Sequence, residues 1–317
     1  MQVLTNFNRH MKDLVIIGGG PAGTAAGVYA ARKRLTTVLI TKEFGGQSVV
    51  SSDIQNWIGT PHISGDALAT SFTAHLKEYA DTVLTLTTGK VTSITPLSGG
   101  FTVTLDDAST IETKTVLIAA GADRRRLTVP GADTYDHKGV VYCASCDGPL
   151  FSGMDVAVIG GGNAGFETAA QLLAYATSVT LLEYNTSFKA DTITVDAVTK
   201  HPQMKALTSA RLDEITGDTM VTGIRYTNTI TNDVVTLPVK GVFVEIGLIP
   251  NTSFLDGVVE LDHMKRVKID PLTQRTNVAG IWAAGDCTNV LYHQNNIAAG
   301  DAIKALEDIY LYIQKTA

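Results

Sequence analysis

Two stretches of the chain repeat the same order of apolar and polar residues. Residues 14–17 and 156–159 are continuous apolar runs, and each leads directly into glycines. Such runs are typical of strands that are buried in a parallel sheet. The Ala-rich segments that follow, residues 24–32 and 166–175, have the spacing of amphipathic helices, and a second apolar run comes after each of them. The pattern therefore predicts strand, loop, helix and strand twice.

The segments around these two units predict further strands. Residues 115–122 indicate a buried strand that ends in a small-residue turn, and residues 276–286 indicate another that ends in an acid. Residues 89–110 alternate between apolar and polar, with a turn at Gly99-Gly100. Residues 223–247 alternate in the same way, so both segments predict antiparallel strands.

This order places the second unit inside the domain that begins with the first. We predict an α/β fold with two Rossmann-like dinucleotide-binding domains of the three-layer ββα type. The first domain is discontinuous and covers residues 1–121 and 248–317, and the inserted domain covers residues 122–247. A chain of 317 residues with 44% hydrophobic residues and 29 glycines suits two α/β domains.

The glycines between strand and helix have the spacing of dinucleotide-binding loops. Gly18-Gly19-Gly20-Pro21-Ala22-Gly23 is the first loop and Gly160-Gly161-Gly162-Asn163-Ala164-Gly165 is the second. The first glycine of such a loop allows a tight turn, the second lets the backbone approach a pyrophosphate, and the third lets the helix pack on the strand. One such loop is weak evidence, because glycine runs also mark ordinary turns. Two loops in the same context predict two nucleotide-binding units.

A pair of cysteines lies between the two units, in the segment Cys143-Ala144-Ser145-Cys146-Asp147. Two cysteines at this spacing can close a disulfide and reopen it as a dithiol. A metal site would need two more soft ligands, and the remaining cysteine, Cys287, belongs to a different motif, where we interpret it as a packing residue. We therefore predict redox chemistry at Cys143 and Cys146 and no metal.

Charge and composition exclude several classes of partner. The formal net charge of −6 gives no general footprint for nucleic acid or an anionic membrane, and no apolar run is long enough to span a bilayer. Residues 1–10 lack the charged start and apolar centre of a signal peptide, and three cysteines do not form a secreted disulfide framework. These features predict a soluble, cytoplasmic protein with no nucleic-acid or membrane partner.

The motifs together resemble those of the low-molecular-weight thioredoxin reductases, and the resemblance covers essentially the whole chain. The segment 143–148 differs from the usual Cys-Ala-Thr-Cys-Asp-Gly of that family by one hydroxyl-for-hydroxyl change. The resemblance implies FAD as the cofactor. The residues that it implies at the FAD site are Gly18, Gly20, Pro21, Ala22, Gly23 and Thr41 for the adenosine part, Gly46, Gln47 and Asn56 beside the flavin, Ala120 and Gly121 in a turn, Gly285 and Asp286 at the ribityl chain, and Gln294 and Asn295 at the final helix.

The resemblance also implies separate roles for the catalytic residues. Cys146 exchanges electrons with the flavin, Cys143 attacks the disulfide of the partner, and Asp147 donates and accepts the proton of the departing thiolate. The implied enzyme reduces thioredoxin and is a homodimer. An alternative is a hydroperoxide reductase component, which usually carries an added N-terminal disulfide domain, whereas this chain begins almost at once with the FAD strand. A ferredoxin–NADP reductase would lack the cysteine pair, and the dithiol argues against a non-enzymatic flavin module.

One departure from the family concerns the electron donor. Members that use NADPH carry basic residues of the His-Arg-Arg type where this chain has Glu183-Tyr184-Asn185. Glu183 lies 18 positions after Gly165, close to the spacing of an acid that binds a ribose 2′-hydroxyl. Since a carboxylate would repel a 2′-phosphate, NADPH is disfavoured.

Two hypotheses for the donor stay open. In one, Glu183 binds the ribose of NADH. In the other, the second unit is a scaffold, and electrons come from a ferredoxin, as in members that resemble this chain at Glu183-Tyr184. We predict a ferredoxin-type donor ahead of NADH. The run Arg124-Arg125-Arg126 is an exposed hinge or, with residues 32–34, a docking patch for such an acidic partner.

Overall fold

The computed structural model describes residues 11–51, 53–80 and 83–316, so the segment 1–10, which the signal-peptide prediction concerns, lies outside the described residues. The chain divides into two compact units. Among the described residues, the first unit comprises residues 11–49, 65–80, 83–123 and 249–316, and the second comprises residues 50–51, 53–64 and 124–248. The domain limits predicted from the sequence lie within two residues of the points, after residues 123 and 248, at which the chain passes between the units. Residues 50–64, which the prediction placed in the first domain, group with the second unit.

The helices and strands are numbered in chain order. Those up to the start of the insertion are β1 (Lys12–Ile17), α1 (Pro21–Arg32), β2 (Thr37–Thr41), α2 (Gly65–Lys77), β3 (Leu84–Thr88), β4 (Val91–Leu97), β5 (Gly100–Leu105), β6 (Thr110–Ile118) and β7 (Ala122–Arg124). Those that follow in the insertion are β8 (Val140–Val141), α3 (Ala144–Asp147), β9 (Asp155–Ile159), α4 (Asn163–Leu172), β10 (Ser178–Leu182), α5 (Thr192–Thr199), β11 (Met204–Leu207), β12 (Ala210–Gly217), β13 (Val221–Asn228), β14 (Val234–Leu237) and β15 (Gly241–Val244). The last elements are β16 (Leu248–Pro250), β17 (Ile281–Ala283) and α6 (Asn295–Thr316), and short 3₁₀ turns cover Gly46–Val50, Gly148–Phe151 and Ser253–Leu255.

The first unit is built on a mixed sheet. Its strand order is β3-β2-β1-β6-β5-β4, with β17 also paired to β6. Strands β1, β2, β3, β6 and β17 are parallel, and β4 and β5 add an antiparallel extension. Alternate residues of β1 pack into different cores, since Leu14 and Ile16 join one apolar cluster and Val15 and Ile17 join the other. Both faces of the sheet are therefore covered, which explains the continuous apolar run.

The second unit repeats this arrangement on a smaller scale. Its parallel sheet has the order β11-β10-β9-β15-β8, and a separate antiparallel sheet has the order β12-β13-β14. The strand β9 has the same alternation as β1, with Val156 and Val158 in one core and Ala157 and Ile159 in the other. The prediction of a Rossmann-like strand–loop–helix–strand unit in both halves of the chain is confirmed. No described helix is long and apolar enough to cross a bilayer.

Two details differ from the sequence predictions. The run 242–247 was expected to end an antiparallel set, but its strand β15 pairs parallel with β9 and β8 and is an interior strand of the five-stranded sheet. All four residues of β15 are buried, which fits a strand with a neighbour on each side, and the parallel direction follows from the crossover connection that leads into it. The helix α1 begins at Pro21 rather than at residue 24, because proline is well suited to the first turn of a helix.

Candidate active site

The cysteine pair lies in the second unit, between β8 and the short helix α3. Cys143 and Cys146 are joined by a disulfide, and their Cα atoms are 5.3 Å apart. The Sγ of Cys143 accepts a hydrogen bond from the Cys146 N–H at 3.2 Å, and its carbonyl oxygen accepts one from the Asp147 N–H at 2.9 Å. The two-residue spacing is therefore that of one helical turn, which holds both sulfur atoms together.

The carboxyl group of Asp147 follows this disulfide directly and is only 6% exposed. Burial raises its pKa to about 6, whereas the charge of Arg124 and a hydrogen bond with Ser51 lower the pKa, and the charge of Asp53 raises it further. Asp147 therefore exchanges its proton close to neutral pH. A side chain of this kind can protonate a departing thiolate and take the proton back.

The first glycine loop lies in the first unit and leaves no room for side chains at two positions. Gly18 has a φ of +124°, and a Cβ on it would collide with the carbonyl oxygen of Ala119. A Cβ on Gly23 would collide with the carbonyl oxygen of Gly18. At Gly20 the nearest atom to such a Cβ is the Cα of Gly46, at 3.7 Å, so this position stays open to an approaching group.

The start of α1 suits a phosphate. Its first residue is Pro21, which has no N–H, and no described side chain caps the N–H groups that follow. Ala22 and Gly23 occupy this first turn, and the buried hydroxyl of Thr24 has no partner among the described residues. Uncapped N–H groups and the positive end of the helix dipole attract a pyrophosphate. The residues of the first loop therefore fit the phosphates of FAD.

Several other predicted FAD residues lie around this loop in the first unit. The turn Ala120-Gly121 is held by Asn251, whose Nδ2 donates to the Ala120 carbonyl oxygen at 3.2 Å and whose N–H donates to the Gly121 carbonyl oxygen at 3.0 Å. Sequence analysis missed Asn251, because nothing in its local motif distinguishes it from a loop asparagine. Gln47 donates through Nε2 to Asp123 at 3.4 Å.

The last helix and the strand before it supply the remaining residues. A Cβ on Gly285 would be in van der Waals contact with both α1 and α6, at 3.4 Å from Ala22 and Ala298. Asp286 follows, and its Oδ1 lies 3.3 Å from Nδ1 of His293. Asn295 accepts a hydrogen bond from Ser48 at 3.3 Å, and Gln294 lies directly before α6.

Of the remaining predicted residues, one lies beside the first loop and one lies in the other unit. Thr41 ends β2 beside the first loop, where a Cβ on Gly19 would come within 2.7 Å of the Thr41 hydroxyl oxygen. Asn56 belongs to residues 50–64 and therefore to the second unit. Cys287 is completely buried, which raises the pKa of its thiol to about 11, in keeping with a packing role.

The second glycine loop has the same geometry as the first. Gly160 has a φ of +120°, and a Cβ on it would collide with the carbonyl oxygen of Glu245. A Cβ on Gly165 would collide with the carbonyl oxygen of Gly160. These contacts match those of Gly18 and Gly23 in the first unit. The second unit therefore keeps the backbone of a dinucleotide cradle.

Glu183 lies at the end of β10 and turns toward this second loop. One carboxylate oxygen, Oε2, accepts a hydrogen bond from the Gly161 N–H at 2.7 Å, and the other accepts one from the Asn185 N–H at 2.8 Å. The residue is 6% exposed, whereas Tyr184 is 64% exposed. A carboxylate held on the loop in this way can accept a hydrogen bond from a ribose hydroxyl, but it repels a 2′-phosphate at that position.

A second acid, Glu245, lies at the end of β15 and was not recognised from the sequence. Its Oε1 accepts a hydrogen bond from the Thr168 hydroxyl on α4 at 2.8 Å. Burial raises its pKa to about 7, although Thr168 and the charge of Arg124 lower it and Glu167 raises it. A comparison of the two repeats could have found this acid, because it occupies the place of Ala119 in the first unit.

The arginine run 124–126 is divided between different environments. The guanidinium group of Arg124 lies 5.9 Å from the ring centre of Tyr142 and acts on both Asp147 and Glu245. Arg126 pairs with Asp136 at 3.1 Å. Two of the three arginines therefore face groups of their own unit.

Comparison with known proteins adds the family. The profile of the pyridine nucleotide-disulphide oxidoreductase family matches residues 12–302. The chain belongs to this family. Members of this family whose structures resemble this chain are FAD-binding flavoproteins, so FAD is the cofactor.

Related sequences carry two kinds of name. The chain is 39% identical over 310 residues to the F subunit of the alkyl hydroperoxide reductase of Escherichia coli, covering 97% of this chain and 59% of that protein. It is 39% identical over 301 residues to a protein named NADH dehydrogenase of Bacillus subtilis, covering 95% of this chain and 58% of that protein. The chain thus spans less than two thirds of the length of these relatives.

Solved structures of thioredoxin reductases have the same fold. The enzyme from Giardia duodenalis matches with a TM-score of 0.89 and 32% identity over 96% of this chain and 99% of its own. The enzyme from Streptococcus pyogenes matches with a TM-score of 0.87 and 33% identity over 97% of this chain and 99% of its own. The predicted fold class is therefore confirmed.

Proposed function

We propose that this flavoprotein uses NADH to reduce the disulfide of a thioredoxin-type protein through its own Cys143–Cys146 pair. The observation that carries the proposal is the second cradle, in which Glu183 is fixed on the loop of a unit that also holds the disulfide. In the overall reaction NADH is oxidised to NAD⁺, one proton is consumed, and the partner disulfide is reduced to two thiols. FAD, when bound, relays the two electrons from the donor to the disulfide.

The residues around the disulfide support the second half of this reaction. After reduction of the pair, the thiolate of Cys143 attacks a sulfur of the partner disulfide, and the partner's other sulfur leaves as a thiolate. Cys146 then attacks Cys143 in the mixed disulfide, which releases the second partner thiol and restores the internal disulfide. Asp147 supplies a proton to a leaving thiolate, because its pKa of about 6 keeps part of it protonated near neutral pH.

NADH is preferred over NADPH as donor because of charge. Glu183 places a carboxylate where a 2′-phosphate would have to lie, and its two hydrogen bonds to backbone N–H groups keep it there. A relative at 39% identity carries the name NADH dehydrogenase, which agrees with this choice. The ferredoxin-type donor predicted from the sequence stays a prediction. The arginine run does not add support for it as a docking patch, because Arg124 and Arg126 already face acids of their own unit.

The protein partner is the less specific part of the proposal. Thioredoxin reductases of nearly the same length share the fold, which favours a thioredoxin-type disulfide. Relatives named as the F subunit of alkyl hydroperoxide reductase favour, as a second candidate, a disulfide protein that serves a peroxidase. Both partners present the same chemistry to Cys143. The proposed homodimer rests on the family resemblance.

The test is anaerobic rapid mixing of the purified yellow protein with NADH, NADPH or reduced ferredoxin, followed by thioredoxin. We expect NADH to bleach the flavin absorbance at least tenfold more efficiently than NADPH, and thioredoxin to restore it. The variant Glu183→Ala should lose most of this preference, whereas Glu214→Gln, an acid on β12 paired with Arg225, should keep it. Equal rates with NADH and NADPH, or reduction by ferredoxin alone, would overturn the proposed donor.

A further inference from the structure

Glu245 occupies the position in the second unit that Ala119 occupies in the first. Its carbonyl oxygen abuts Gly160 just as the carbonyl oxygen of Ala119 abuts Gly18 in the first unit. Because the strands β15 and β6 each run parallel beside the strand that leads into the glycine loop, the two residues are equivalent. The second unit therefore carries a carboxyl group where the FAD-binding unit has a methyl group.

The surroundings of this carboxyl group keep it close to its titration point. Thr168 on α4 donates a hydrogen bond to it at 2.8 Å, and Glu167 on the same helix adds a negative charge. Arg124 on β7 adds a positive charge, and these are the described groups that act on it. Since burial raises its pKa to about 7, the acid and the carboxylate are both populated near neutral pH.

The place of Glu245 gives this titration a consequence for ligand binding. Nucleotides bind to parallel sheets at the carboxyl ends of the strands, and their pyrophosphate lies at the glycine loop and the helix that follows it. Glu245 follows such a strand: its backbone carbonyl oxygen lies against the first glycine of the loop, and its carboxyl group is hydrogen-bonded to Thr168 of the helix that follows the loop. An ionised carboxylate there opposes two phosphate charges, whereas the neutral acid does not.

We propose that Glu245 controls dinucleotide binding in the second unit through its protonation, with the neutral acid admitting the pyrophosphate and the carboxylate opposing it. This inference rests on the proposed use of NADH as donor. Binding of the dinucleotide then takes up a proton on Glu245, and affinity falls as the pH rises through neutrality. Glu183 selects the ribose, and Glu245 makes the site sensitive to pH.

The test uses ADP-ribose, which has the pyrophosphate and both riboses of NADH but lacks the nicotinamide ring and therefore cannot donate a hydride. Its Kd is measured by calorimetry from pH 6 to pH 8 in buffers with different heats of ionisation. For the wild type we expect the Kd to rise about fivefold from pH 7 to pH 8, with net proton uptake on binding. The reason is that the fraction of the protein in which Glu245 is neutral falls by that factor. Glu245→Gln should bind with a Kd that changes less than twofold over this range.

Two further variants make the test specific. Thr168→Val removes a hydrogen bond that favours the carboxylate, so its pH dependence should move to higher pH. Glu214→Gln, the distant acid on β12, should behave as the wild type. A wild-type Kd that does not depend on pH, or an unchanged pH dependence in Glu245→Gln, would overturn the inference and leave the NADH proposal intact. Failure of ADP-ribose to bind at any pH would overturn both.

Discussion

Replacing Asp147 by Asn removes a titratable group from beside the disulfide and keeps the size of the side chain. The pKa of this carboxyl group rises from its ordinary 3.8 to about 6 on folding, mainly through burial. Each pKa unit corresponds to about 1.4 kcal/mol, so ionised Asp147 costs the folded state up to about 3 kcal/mol.

The sign of the effect follows from the raised pKa. The wild type has the full contribution of neutral Asp147 to stability below pH 3.8 and loses it as the pH rises through about 6. Asp147→Asn does not titrate, so its stability relative to the wild type should increase by about 3 kcal/mol between pH 3 and pH 8. Its activity toward thioredoxin should fall by about 10²-fold or more, because the proton donor is lost.

Urea unfolding at several pH values with saturating FAD measures the first effect, and thioredoxin reduction measures the second. The matched control is Asp233→Asn, which removes an exposed acid from the same unit and should change neither quantity appreciably. If Asp147→Asn and the wild type show the same pH dependence of unfolding, the burial argument is refuted. If the variant keeps full activity, Asp147 is not the proton donor.

Three further predictions concern the cofactor, the sulfur atoms and the fold. Asp286→Ala should weaken FAD binding by roughly 1.5–3 kcal/mol, seen as loss of yellow colour on dialysis; full retention would contradict its ribityl role. Cys143→Ser should keep the long-wavelength absorbance of a thiolate beside the flavin and Cys146→Ser should lose it, so identical spectra would refute the assigned roles. Asp308→Ala should lower the free energy of unfolding in urea by about 1–3 kcal/mol, because Asp308 accepts a hydrogen bond from the Trp282 indole N–H at 2.8 Å. An unchanged unfolding midpoint would show that this hydrogen bond does not stabilise the fold.

The local sequence pattern was sufficient to predict the two glycine loops with their flanking strands and helices. The apolar run before Gly18 and the helix after it are short-range features, and the same holds for Gly160, so the fold class followed from the sequence. The parallel pairing of β15 did not follow, because its four buried residues look alike in parallel and antiparallel sheets. That choice depends on the crossover connection, which is not visible in a local run.

Residues of the candidate active site were predictable from the sequence only where they belong to a recognisable motif. The cysteine pair and Asp147 form one contiguous motif, and Glu183 stands at a fixed distance from its loop. Ser51 and Thr168 act on Asp147 and Glu245 across long stretches of chain, and each is an ordinary hydroxyl residue in its own segment. Their importance arises from tertiary packing, which sequence spacing alone does not reveal.

The position of Arg124 affects how any change at that residue is interpreted. Its single positive charge lowers the pKa of both Asp147 and Glu245, so removing it raises the proton affinity of two acids with different tasks. A kinetic change in Arg124→Ala would combine a displaced pH dependence of the proton transfer at the cysteines with a displaced pH dependence of donor binding. Arg124 is thus a shared counter-ion, and its two effects separate only in a background that already lacks one of the acids.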